Sequence, residues 1–261
     1  MVFEENLNTL NKMNDIAIII PSCDKYSDVW GLLMQSIEKF MCGDIPKIYL
    51  ITNSINFKHP LVCSITIGDD ISWSDNLSKA LDKVDEEYVL MWIDDLILLN
   101  DFNWNDIQRK IQWFFEQKSD YMRLNPTPIG VDKTKSFSKI AVNDYYRSST
   151  VFSIWRKEVL ERILVSGESA WQFEIIGTDR TNKYKKWYAS SSYLINYTNL
   201  VIKGKVHPKS LSLVQKAGLI YGSDRVIMSN HEYINQLFLE FRSKIFSMLP
   251  RKFRNVIRRR M

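Results

Sequence analysis

Cysteine is scarce in this 261-residue chain: Cys23, Cys42 and Cys63 make an odd set with no Cys-x-x-Cys spacing. That excludes a disulfide framework and a structural zinc site, and fits a reducing compartment. Nine glycines and seven prolines are too few for a collagen-like or low-complexity architecture. No Gly-x-Gly-x-x-Gly or Gly-x-x-x-x-Gly-Lys loop occurs, which removes support for dinucleotide-binding and P-loop readings. His59, His207 and His231 have no metal-site spacing. Long apolar runs are missing too, and none approaches the roughly 18 residues that span a bilayer. Any membrane role would be peripheral. The first apolar run, Ile16 to Ile20, stops at Pro21 and follows Glu4 and Glu5, where a secretory signal needs Lys or Arg. The expectation is a cytoplasmic protein, peripheral at the inner face of the cell membrane.

What is present is an ordinary globular balance, 45% hydrophobic and 25% charged, with an aromatic fraction of 13% that includes eight Trp. Such rings fill cores and also suit sugar- or base-binding clefts. Charge is unevenly placed. From His231 to Met261, eight basic residues face only Glu232 and Glu240, so this stretch carries +6 of the overall +5 and the first 230 residues are near neutral. A basic face for nucleic acid on the main body is therefore not expected.

Ile16-Ala17-Ile18-Ile19-Ile20 reads as a strand buried on both faces. Asp28 is placed to cap a helix carrying Val29, Leu32, Leu33, Ile37 and Phe40. Strands follow at 47–52, 62–67 and 88–93, with helices from Ser72 or Ser74 to Val84 and from Trp104 to Gln117. Strand–helix alternation over the first ~120 residues predicts an α/β fold with a mostly parallel sheet flanked by helices. Ligands of such sheets sit beyond the carboxyl ends of the strands. Ser22-Cys23-Asp24, Thr52-Asn53 and Asp94-Asp95 fall there. The second half reads as a strand within 145–155, a short helix at 156–164, a loop entering a helix at 167–174, strand-like runs at 187–202 and a turn at Lys203-Gly204-Lys205.

Asp94-Asp95 is the sharpest feature. Adjacent carboxylates repel unless a cation or hydrogen-bond donors offset the charge. At a strand's carboxyl end they can hold a hard divalent ion that in turn binds a diphosphate; a solvated turn is the alternative. IAIIIPSCDKY, KIYLITN, WSDNLSKAL and EEYVLMWIDDLILL, in that order, resemble the nucleotide-sugar-binding half of a GT-A glycosyltransferase. The later Ser153-Ile154-Trp155-Arg156, Gly167 to Glu174 and Asn199 to Lys205 extend the resemblance to bacterial glycosyltransferases of surface-polysaccharide (O-antigen or capsule) loci. It covers about residues 15–210.

The resemblance implies a GT-A-like catalytic domain over 1–228, with a donor half at about 15–125 and an acceptor half at about 126–228. It implies Mg²⁺ or Mn²⁺ on Asp94 and Asp95, although Ile93-Asp94-Asp95 departs from a strict Asp-x-Asp and leaves open which carboxylate meets the metal. Pro21, Ser22, Asp24, Thr52, Asn53, Asp69, Trp73 and Asn76 would join Asp94 in holding a nucleoside-diphosphate sugar, UDP-linked on this reading. Ser, Asp and Asn also serve as plain turn residues. Glu174 is the candidate base that takes the acceptor proton in an inverting transfer, with Glu168 second; either could instead interact with a helix dipole. Trp171 would stack on the acceptor, while Arg156, Arg180, Lys203 and Lys205 would neutralise the leaving diphosphate. The acceptor implied is a glycan or lipid-linked oligosaccharide. A retaining transferase, a sugar nucleotidyltransferase and a non-catalytic membrane scaffold remain alternatives.

Residues 229–261 read as a basic amphipathic helical extension, broken at Pro250. The partner expected for residues 231–261 is an anionic membrane surface, with packing on the domain and a protein partner as the alternatives.

Overall fold

The computed structural model describes residues 15–126, 134–144 and 146–248. The leader at 1–14, the break at Pro250 and the last basic residues, from Arg251 onward, lie outside the described residues. The strands are β1 (Ile16–Pro21), β2 (Met41–Cys42), β3 (Ile48–Thr52), β4 (Val62–Thr66), β5 (Tyr88–Met91), β6 (Leu96–Leu98), β7 (Phe102–Asn103), β8 (Tyr121–Arg123), β9 (Phe137–Lys139), β10 (Ser153–Arg156), β11 (Trp187–Ser190), β12 (Tyr197–Asn199), β13 (Val201–Ile202) and β14 (Lys205–Val206). The helices are α1 (Ser27–Phe40), α2 (Trp73–Leu81), α3 (Trp104–Glu116), α4 (Lys157–Ile163), α5 (Ala170–Arg180), α6 (Pro208–Lys216) and α7 (Asn230–Met248).

β1 is buried along its whole length, and its residues alternate between two cores. Ile16, Ile18 and Ile20 pack with Leu33 and Ile37 of α1 and Ile111 of α3. Ala17 and Ile19 pack with Leu77 of α2, Leu160 of α4 and Phe173 of α5. This is why the run is apolar at every position rather than every second one. The eight-stranded sheet has the order β4-β3-β1-β5-β10-β8-β11-β9. β4, β3, β1 and β5 are parallel, as expected. β10 then inserts antiparallel between β5 and β8, and β9 pairs antiparallel with β11. The result is an α/β fold with a mostly parallel central sheet covered by helices on both faces.

Local chemistry sets the element ends. The Ser72 hydroxyl accepts from Asp75 N at 3.1 Å and starts α2. Ser169 and Gln172 form a reciprocal capping box on α5. Asp28 does not cap α1: the cap position is Tyr26 with no side-chain bond. The Asp28 carboxylate is drawn away because it accepts from the Arg225 guanidinium and the Ser223 hydroxyl. Outside the main sheet, β12 pairs antiparallel with β6, so that Asn199 stands opposite Leu96. β13 and β14 form a hairpin whose turn places Lys203 and Gly204 at φ 53° and 76°. A two-residue turn of this hand requires positive φ, which glycine supplies and lysine adopts at some cost.

Candidate active site

The carboxyl ends of β1, β3 and β5 open into a cavity of about 270 Å³. Of the expected donor-binding residues, Pro21, Ser22, Trp73, Asn76 and Asp94 line it. Cys23 of the strand-end cluster and Asp70 line it as well, together with Tyr26, which the sequence reading left out. Asn76 projects from the first turn of α2 and donates to Asp70 Oδ1 at 2.6 Å, fixing one wall.

Asp24, Thr52, Asn53 and Asp69 are not among its lining side chains. Asp24 and Asn53 exchange hydrogen bonds, with Asp24 N donating to Asn53 Oδ1 and Asn53 N to Asp24 Oδ1, both at 2.9 Å. Asp24 also accepts from Ser54 N at 3.0 Å. The Thr52 hydroxyl donates to Ile55 O at 2.7 Å. These residues tie the loop after β1 to the loop after β3 and thereby hold the cavity rim, while Asp69 is exposed beside it.

Asp94 and Asp95 are both buried. Trp30 Nε1 donates to Ser22 Oγ at 2.7 Å, and the Ser22 hydroxyl donates to Asp94 Oδ2. Burial pushes Asp94 up to about 7 against that hydroxyl's pull downward. Burial, and then the charge of Asp94, pushes Asp95 up to about 8. Two acceptors, Asp95 Oδ2 and Val201 O, face the same end of the Asn199 amide, so that end is the NH₂ group, donating at 2.9 and 3.1 Å. Leu200 N donates to Asp95 O at 2.8 Å. The β6–β12 pairing therefore delivers the Asn of the late motif to the second carboxylate, a long-range contact invisible in linear sequence.

Arg225 was also missed. Its charge favours the ionised form of both aspartates. It stacks over the Tyr26 ring at 4.5 Å and donates to Lys25 O at 2.7 Å. Among the described residues no group of three or more His, Cys, Asp or Glu gathers around one point. Of the pair only Asp94 lines the cavity, while Asp95 accepts from the Asn199 amide; a hard divalent ion held here would need phosphate oxygens and water to complete its shell.

A second carboxylate centre lies toward α5. Glu174 Oε1 accepts from Thr150 N at 2.6 Å and Thr150 Oγ1 at 2.9 Å. Burial raises its pKa, opposed by these bonds and by the charge of Arg123. Tyr197 lies within electrostatic reach of both centres: burial lifts its hydroxyl to about 12, and Glu174 and Asp95 add to the rise. Glu168 is engaged differently. Both its oxygens accept from Arg180, at 2.9 and 2.5 Å, so neither residue stands ready as a free base or a free phosphate ligand. Trp171 is exposed, its ring 6.5 Å from that of Tyr146.

Arg156 needs a correction. Because β10 runs antiparallel to β5, Ser153 stands beside Met91 and Arg156 beside Tyr88. This puts the guanidinium at the amino end of the parallel strands, away from Asp94, where it pairs with Asp120 at 2.7 Å. Lys203 is exposed on its turn, and Lys205 pairs with Glu232 of α7 at 2.5 Å. Neither lines the cavity.

No protein-family model matches the chain, and no curated protein does. Among solved structures, Staphylococcus aureus TarS 1-349 in complex with UDP is 14% identical over 86% of this chain and 72% of that one, with a TM-score of 0.49. The mannosyltransferase PcManGT from Pyrobaculum calidifontis, in complex with GDP-Man and Mn²⁺, is 12% identical over 80% and 65%, with a TM-score of 0.48. The bifunctional IspDF of Campylobacter jejuni is 13% identical over 58% and 43%, with a TM-score of 0.36. At these scores the likeness assigns nothing to this chain beyond the architecture already described.

Proposed function

We propose that this chain is a GT-A-like glycosyltransferase that moves a sugar from a nucleoside-diphosphate donor, UDP-linked in our reading, to a hydroxyl of a surface glycan or its lipid-linked precursor. One observation carries the reading: Asp94, with a second buried carboxylate beside it, lines a cavity at the carboxyl ends of parallel strands. The nucleoside would lie between the β1 loop and α2, in the part of the cavity lined by Tyr26, Asp70, Trp73 and Asn76.

Asp94 and Asp95 would hold Mg²⁺ or Mn²⁺, which supplies charge neutralisation to the departing diphosphate. Ser22 and Asn199 hold the two carboxylates in place through their hydrogen bonds, and outer partners of this kind fix ligand geometry. In the transfer, the acceptor oxygen forms a bond to the anomeric carbon. The bond from that carbon to the phosphate oxygen breaks, and the nucleoside diphosphate leaves with its electron pair. Glu174 takes the acceptor proton. Burial raises its pKa, the direction that makes a carboxylate a stronger base, and attack from its side inverts the anomeric centre.

Calorimetry with UDP, with and without Mn²⁺, tests the donor half. Metal-linked UDP binding is expected, with a loss of about tenfold or more in Asp94→Asn; equal binding with and without metal, or in the variant, rejects the assignment. Glu174→Gln is expected to keep UDP binding and to lose at least about 100-fold in transfer. Undiminished transfer removes Glu174 from the mechanism.

A further inference from the structure

α7 is amphipathic in the reverse of the usual sense. A helix that packs on a domain buries its apolar stripe and shows its polar side to water. Here the side turned to the body makes polar and edge contacts. Glu232 pairs with Lys205 and accepts from Ser229 N at 2.9 Å. Tyr233 lays its ring 5.2 Å from His207. The opposite side carries Ile234, Leu237, Phe238, Phe241 and Ile245, and all five are exposed, Ile234, Phe238 and Phe241 each by more than 60%. Their spacing of three, four and seven residues puts them on one arc of the helix. Two Phe and three aliphatic side chains on one free face form a patch that a solitary soluble protein seldom shows to water.

We propose that this face docks on an anionic lipid surface, with α7 lying in the plane of the headgroups. The charge of the chain selects an anionic lipid surface over a second copy of the chain. Arg242 is exposed on the same helix. Beyond α7, the sequence places Arg251, Lys252, Arg254, Arg258, Arg259 and Arg260 among Phe253, Val256 and Ile257, without one acidic residue after Glu240. A second copy brought face to face would bring the same positive charge with it and be repelled. An anionic bilayer takes up the apolar side chains and attracts the basic ones at once. No helix among the described residues is long and apolar enough to cross a membrane, so attachment is to one face. The inference does not depend on glycosyl transfer and would stand for any activity in the cavity.

The test is flotation of the full chain with vesicles of phosphatidylglycerol and phosphatidylcholine, against pure phosphatidylcholine vesicles. Binding is expected to the anionic vesicles, weaker by about tenfold or more on neutral ones and at high salt. Phe238→Ser combined with Phe241→Ser should cost about tenfold in vesicle binding. Both side chains are exposed, so an unchanged circular dichroism spectrum and melting midpoint confirm that the variant folds. Three results overturn the proposal: no flotation, equal binding to neutral and anionic vesicles, or a lipid-free dimer that the double variant turns into a monomer. The last would assign the face to a second copy of the chain. UDP calorimetry on the same samples reports separately on the cavity.

Discussion

At the scale of single residues, the buried aspartate pair dominates. Asp94 and Asp95 lie within the fold, with pKa values pushed up to about 7 and about 8 by burial first, against about 3.9 for a free aspartate. The folded chain therefore holds protons that the unfolded chain releases. Stability from this pair is fully present below about pH 4 and is lost as pH rises through 7 and 8. Metal-free protein should accordingly show a melting midpoint that falls between pH 5 and 8, apart from the contributions of other groups. Asp94→Asn combined with Asp95→Asn should flatten that fall. Added Mn²⁺ should raise the midpoint more at pH 8 than at pH 5, because the ion displaces those protons. A midpoint whose pH dependence the double variant leaves unaltered would contradict the protonated burial of these groups. The same pair shows what sequence can and cannot express. Adjacent carboxylates at a strand end were legible in the order of the letters. That Ser22 and Asn199, separated from them by some 70 and 100 positions, hold them was not, since nothing local announces a partner so distant.

At the scale of elements, legibility follows how local the cause is. β1, α1 and α2 were readable because apolar spacing and a capping serine act within a few residues. The sequence reading put a strand within 145–155 and Arg156 at the start of the next helix, facing the diphosphate by resemblance. A short strand carries no mark of its direction, and β10 runs so that Arg156, its last residue, stands at the other end of the sheet. Asp28 looked like a cap until the segment near Arg225 came back to claim it. That segment is a strap across α1. Lys39 Nζ donates to Ala217 O at 2.8 Å, Ile220 N donates to Gln35 Oε1 at 3.2 Å, and Arg225 Nε donates to Asp28 Oδ2 at 2.8 Å. Burial would raise the Asp28 pKa, yet the Arg225 and Ser223 bonds outweigh it and hold it below its ordinary value. The stability this ion pair adds is present above about pH 4 and lost as pH falls below it. Arg225→Met should then cost about 2 kcal/mol at pH 7, from the ion pair, the bonds to Lys25 O and Gly204 O and the stacking on Tyr26. The deficit should shrink at pH 3, where protonated Asp28 no longer rewards the wild-type arginine. Because Tyr26 lines the cavity, UDP affinity should drop with it. Thermal melts at the two pH values check the first point, and a deficit that does not depend on pH would mean that Asp28 is not the partner that matters.

At the scale of the whole molecule, the two halves read from the sequence, about 15–125 and 126–228, share one sheet. β10 from the second half sits between β5 and β8 of the first, and β11 pairs with β8. The two cores share the same strands as well. Trp30, Trp92 and Trp104 are buried in one, Trp155 and Trp187 in the other, and β1 contributes alternate residues to both. Removing the second half would strip β10 from between β5 and β8, removing the first would leave β10 without either neighbour, and both would open the two cores along the sheet. Neither half therefore has a complete core of its own, which is the condition for independent unfolding. Chains of this length often unfold through intermediates when their halves are separable, so a single cooperative transition is an informative expectation here. Tryptophan fluorescence, which samples both cores, and far-ultraviolet circular dichroism, which samples the sheet and helices, should trace coincident curves in urea. Two resolved transitions, or a fluorescence midpoint that precedes the loss of secondary structure, would mean that the β5–β10–β8 seam does not join the halves into one folding unit.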